Sequence, residues 1–126
     1  MKRSTIKRRK TKRLSEYDDE FAAMKPVIIA RSKGLCEAVW LALEYTKGVA
    51  HGDVAEAFEA MNEVQCTGRG VNVHHRKYRK RGGSNRESNL VHLCGNHHDW
   101  AHAHGGFGRH ANLLGLALSA GQSEDL

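Results

Sequence analysis

Seven of the nine histidines lie between positions 74 and 104: His74, His75, His92, His97, His98, His102 and His104. Structural histidines scatter through a chain. A metal site concentrates them, because neutral imidazole is the commonest nitrogen ligand. His98 and His102 stand four residues apart, and on a helix that spacing projects both rings from one face, where they can share an ion. His74 and His75 are neighbours on a segment that reads as a strand, so they point to opposite sides. One of them can join His98 and His102 on a metal while the other faces away, toward a substrate.

The thiols suggest a second, separate centre. Three cysteines cannot all pair, which argues against a disulfide framework and for a reducing compartment. Cys94-Gly95-Asn96-His97 has the two-ligand spacing of a zinc knuckle, and Cys36 and Cys66 complete a Cys₃His set, the closed tetrahedral shell of a structural zinc.

These residues must be held by a small set of elements. Ser15 is placed to cap a helix starting at Glu16, and Pro26 to end that helix or open the next. Val39–Tyr45 and Asp53–Met61 read as two helices joined by a Thr46-Lys47-Gly48 turn, with Asp53 as an N-cap. From Cys66 onward the texture changes. Val71–His74 alternates like a strand, a Gly- and Arg-rich loop follows from Arg76 to Ser88, and Leu90–Leu93 reads as a second strand. A short helix over Asn96–His104 comes next, then a glycine-rich break and a tail from Ala111 with one apolar cluster, Leu113–Leu118.

The chain has 126 residues, enough for one domain with a modest core; 40% are hydrophobic and 6% aromatic, so a metal staple would be useful. No apolar run approaches the ~20 residues of a membrane span, and no secretory-type apolar stretch follows the basic start, so a cytoplasmic location is expected. The formal net charge is +6, and it is concentrated. Eight cations fall in the first thirteen positions, and six more between Arg76 and Arg86. Clustered cations without an amphipathic apolar face point to nucleic acid rather than to a membrane. Met1–Arg13 has almost no apolar content and reads as a disordered arm.

With these residues in view, the chain resembles the HNH endonucleases, whose core folds as ββα-metal. The resemblance rests on Val73-His74-His75-Arg76-Lys77, Arg81-Gly82-Gly83, Asn89-Leu90-Val91, Leu93-Cys94 and His98-Asp99-Trp100-Ala101-His102. It implies that His74, His98 and His102 bind a divalent ion (Mg, Mn, Ni or Zn) and that His75 is the general base. It also implies that Asn89 fixes the loop before the second strand. Arg31-Ser32-Lys33-Gly34-Leu35-Cys36-Glu37 is similar to the segment that precedes the motif in the family, and Cys66-Thr67-Gly68 to its second thiol. Two departures stand out: His97 replaces a usual cysteine, and 29 residues separate Cys36 from Cys66 where the family has few, as if a helical hairpin were inserted.

The expectation is therefore an α+β protein. Residues 1–14 form a basic disordered arm. Residues 15–110 form an HNH nuclease domain with a structural zinc site, an inserted hairpin over 39–62 and a ββα-metal core over 71–104. Residues 111–126 form a C-terminal tail. The implied activity is metal-dependent hydrolysis of DNA phosphodiester bonds. In that role Arg76, Lys77, Arg79, Lys80 and Arg81 would grip backbone phosphates, with Arg81 beside the scissile one. Small free-standing members of the family occur in phages and prophages, some beside terminase during DNA packaging, so terminase or another packaging protein is the implied partner besides DNA. The alternative is a zinc-stabilised nucleic-acid-binding module without catalysis, which needs only Cys36, Cys66, Cys94 and His97.

Overall fold

A computed structural model describes residues 11–47, 52–104 and 109–126, so residues 1–10 of the expected arm lie outside the described residues. Helices α1 (Lys12–Ser32), α2 (Ala38–Tyr45) and α3 (Gly52–Glu63) precede strands β1 (Asn72–His75) and β2 (Leu90–Leu93), and helices α4 (Gly95–His104) and α5 (Arg109–Leu113) follow. Short 3-10 turns occupy Arg79–Arg81 and Glu87–Asn89. The protein is thus α+β, with one two-stranded antiparallel sheet and α4 directly after it. Among the described residues no helix is long and apolar enough to cross a membrane.

Helix α1 starts earlier than expected. Thr11, not Ser15, is its cap, with its side chain accepting from the Leu14 N–H at 3.3 Å, so residues 12–14 are helical rather than part of an arm. It also runs through Pro26, which removes one hydrogen bond from an exposed face. Contacts on both sides of the proline hold the helix. Tyr17 and Phe21 lie against His75 before it, and Ile28 and Ser32 are buried after it. Lys33 in the left-handed region ends the helix, its N–H bonding the Ala30 carbonyl and that of Gly34 the Ile29 carbonyl.

The expected hairpin is α2 and α3, and it is half of the core rather than an appendage. Leu41, Ala42, Ala57 and Met61 pack with Val91 and Leu93 of β2 and Ala101 of α4. Asp53 lies in the first turn of α3 rather than at its cap, and pairs with Arg109 of α5 at 2.7 Å.

The C-terminal segment is not a tail. Leu114, Leu116 and Leu118 are fully buried, each stabilising the core by roughly 1.5–3 kcal/mol relative to exposure. The Leu118 N–H donates to the Arg76 carbonyl at 2.7 Å, extending the pairing of the chain just beyond β1. Gly115 permits the turn: its φ is +76°, and any Cβ there would run into the Tyr45 ring.

The strand register pairs His74 with Val91 and His75 with Leu90. β1 begins one residue later than the alternation suggested and includes His75, so the two adjacent histidines face opposite sides of the hairpin.

Candidate functional site

The hairpin and α4 bring three histidines together. One nitrogen from each of His74, His98 and His102 lies within 4.8 Å of the others. Ring centroids are 5.6 Å apart for His74 and His98, 5.3 Å for His74 and His102, and 4.3 Å for His98 and His102. His74 is buried, and its Nε2 lies 2.7 Å from the Leu116 carbonyl, an acceptor, so Nε2 carries the hydrogen and Nδ1 keeps a lone pair toward the cluster. Burial lowers the pKa of His74 to about 3, with His102 and His98 adding repulsion, and burial and His102 lower that of His98 as well. Three imidazoles aimed at one point, one of them locked neutral with its lone pair inward, fit a divalent ion and leave positions open, since His102 is exposed. Tyr78 stacks on His102 at 5.5 Å and edges His74 at 5.9 Å.

His75 faces the other way. Its Nε2 lies 2.8 Å from Asn85 Oδ1, and its ring stacks on Phe21 at 4.4 Å and Tyr17 at 5.9 Å. A groove of about 590 Å³ beside Tyr17 runs between the start of α1, including Arg13 and Glu20, and the loop at Arg79, Gly82, Gly83 and Ser84.

Asn89 is fully buried and closes the long loop. Its Oδ1 accepts from the Lys77 N–H at 2.8 Å, while Nδ2 donates to the Lys77 and Ser84 carbonyls at 3.0 and 2.8 Å. These are backbone bonds across the loop. The hydrogen bond to the His75 ring comes instead from Asn85, a residue the sequence reading missed because nothing in a loop spacing distinguishes one asparagine from another.

The basic loop divides into two classes, and two of its expected DNA contacts are corrected. Arg76 is fully buried: Nε donates to the Gly115 carbonyl at 2.7 Å, and Nη1 to the carbonyls of Ser88 and Glu124 at 2.7 and 2.8 Å. Burial lowers its pKa to about 10, so it stays a cation near neutrality, held through Nε and Nη1 by carbonyls rather than by phosphate, while its buried Nη2 has no hydrogen-bond partner among the described residues. Lys77 is also buried, with Nζ 3.3 Å from the Ala120 carbonyl. Arg81 is half-buried, donating to the Leu118 carbonyl at 3.2 Å and lying over Tyr78. Arg79 and Lys80 are exposed, and Arg79 lies over the Tyr17 ring.

The second cluster assembles as expected. Ligand atoms of Cys36, Cys66, Cys94 and His97 all lie within 4.8 Å of one another. His97 Nδ1 is 3.3 Å from Cys94 Sγ and 3.7 Å from Cys36 Sγ, close to the ~3.6 Å edge of a tetrahedron built on zinc bond lengths of about 2.3 and 2.05 Å. His97 Nε2 faces the Met61 carbonyl at 3.2 Å, which leaves Nδ1 free as a ligand. Burial alone would raise the Cys94 thiol, but N–H groups of His97 and Thr67 and the His97 ring outweigh it and bring it down to about 6, favouring thiolate. Burial raises Cys36 and Cys66. The long insertion does not displace Cys36, because α2 and α3 leave and return to the same edge: the Cys36 N–H bonds the Gly68 carbonyl at 3.0 Å.

No family model, curated protein or solved structure matches the chain.

Proposed function

We propose that this chain is a metal-dependent endonuclease of the HNH type, with a ββα-metal core, a structural zinc held by Cys36, Cys66, Cys94 and His97, and DNA as its substrate. One observation carries the reading. A single β-hairpin and its following helix present three histidines to one point while the strand neighbour of His74 points away and is separately held. A binding module stabilised by zinc needs the cluster of Cys36, Cys66, Cys94 and His97 alone and has no use for the three histidines.

In this reading a divalent ion at His74, His98 and His102 supplies positive charge against the negative charge that develops on the phosphate and the leaving oxygen. His75 takes a proton from the attacking water at Nδ1, the nitrogen not facing Asn85. The water oxygen bonds to phosphorus, the bond to the 3′ oxygen breaks, and that oxygen is protonated from solvent, leaving a 5′-phosphate. Asn89 holds the two ends of the loop at fixed separation. Arg79 and Lys80, the exposed cations of the loop, pair with backbone phosphates, and Arg81 adds charge from beside Tyr78.

The test is incubation of zinc-loaded protein with supercoiled plasmid across Mg²⁺, Mn²⁺, Ni²⁺ and Zn²⁺, alongside His75→Ala. Nicking or linearisation by the wild type is expected, with His75→Ala slower by ~10²–10⁴ while it still binds DNA. Binding without cleavage in every metal supports the zinc-stabilised binding module instead.

A further inference from the structure

We propose that Asn85 is a positioning residue, which holds the His75 ring in the tautomer with its hydrogen on Nε2 and its lone pair on Nδ1. The proposal rests on the reading of His75 as the base. Asn85 is buried, and both ends of its amide are committed: Oδ1 lies 2.8 Å from His75 Nε2, and Nδ2 donates to the Tyr17 carbonyl at 2.9 Å. A carbonyl only accepts, so Tyr17 decides which end of the amide faces it. Oδ1 is then the atom turned to His75, and an oxygen there demands a hydrogen on Nε2. The backbone of helix α1 thereby sets the tautomer of a histidine 58 positions further along the chain.

The amide is itself anchored. Its neighbour Ser84 donates from N–H and Oγ to the Glu124 carboxylate, the former at 2.8 Å, and the Ser84 carbonyl accepts from Asn89 Nδ2 at 2.8 Å. Glu124 is buried in turn, its carbonyl held by Arg76. Phe21 and Tyr17 stack on the imidazole and limit its tilt, so the amide hydrogen bond selects between the two ring orientations related by a flip about Cβ–Cγ. An unheld neutral imidazole would divide between two tautomers, and only one of them can take a proton at Nδ1.

The test combines kinetics with a spectroscopic readout that needs no turnover. In the full-length, zinc-loaded protein, ¹⁵N–¹H correlation of the His75 ring should show a single neutral tautomer protonated at Nε2, and Asn85→Ala should show both. Cleavage by Asn85→Ala should fall in kcat by roughly 10²-fold with KM little changed, since orienting the imidazole acts on proton transfer rather than on DNA binding. Asn85→Asp keeps an acceptor for the Nε2 hydrogen but cannot donate to Tyr17, and should restore most of kcat. A purely structural tie between α1 and the loop predicts instead that Asp is as poor as Ala. Equal losses in both variants, or a wild-type His75 protonated at Nδ1, would overturn the proposal. If the wild type fails to cut DNA in any of the four metals, the nuclease reading fails, while the tautomer measurement still decides the role of Asn85.

Discussion

His74 shows how a single residue can be recruited by its surroundings. A histidine on a strand is free to titrate near neutrality; here burial, helped by repulsion from His102 and His98, outweighs the Leu116 carbonyl, which favours the protonated ring, and brings the pKa to about 3. The unfolded chain, with its histidine near 6.5, binds an extra proton between those two values. Stability from this residue is therefore complete above about pH 6.5 and is lost as pH falls toward 3, with a slope of up to ~1.4 kcal/mol per pH unit. His74→Gln removes the titrating ring and keeps a donor for Leu116. Urea unfolding at pH 7, 6 and 5.5, without added divalent ion, should show a flatter pH dependence for the variant; parallel curves would show that His74 is not held neutral.

At the scale of elements, the two Cys/His clusters that could hold a metal and the basic loop are built for different work. With an ion bound, the Cys₃His set would tie the α1–α2 connection, the chain after α3, and the junction of β2 with α4 to one point, so its loss should be felt throughout the fold. Cys94→Ser should abolish tight zinc binding and cooperative unfolding together, because a structural site contributes folding energy directly. Elemental analysis with circular dichroism checks this, and a folded, zinc-free variant would contradict it. In the loop, Arg76→Ala strands the Ser88 carbonyl and two carbonyls of the C-terminal segment, Gly115 and Glu124, and should destabilise the protein by about 3 kcal/mol or more. The double variant Arg79→Ala/Lys80→Ala should leave the melting temperature within a degree or two and weaken DNA binding. Equal effects of the two variants on stability would erase the distinction between buried and exposed cations.

For the whole molecule, charge and fold are separable. Residues 2–10 carry six cations and no anion, so deleting them takes the formal charge from +6 to +6 − 6 = 0. The deletion spares Thr11, the cap of α1. DNA affinity should drop, and the slope of log K against log salt should flatten by several units if most of these cations meet phosphates, at roughly 0.9 per contact. At saturating DNA, single-turnover cleavage should stay near the full-length rate, because neither cluster includes any residue of the deletion. Identical salt slopes would assign the run to solubility or to a protein partner.

The spacing of residues determined much of this protein. Adjacent histidines on a strand must face apart, histidines four apart on a helix must face together, and a Cys-x-x-His turn presents two ligands to one point. Those are local geometries, and the strand at Leu90–Leu93 and the helix before His104 were legible for the same reason. What spacing could not reveal depends on partners far away in the chain. Pro26 reads as a stop, yet the helix continues because the sheet holds its two halves. Arg76 reads as a DNA contact, yet three carbonyls more than ten residues away bury it. The segment after Ala111 reads as a tail, yet it supplies three core leucines and the carbonyl that orients His74. Asn85 reads as one more polar loop residue until α1 and the strand place a carbonyl and an imidazole at its two ends. Periodicity encodes which way a side chain points, and only the folded chain decides what it meets there.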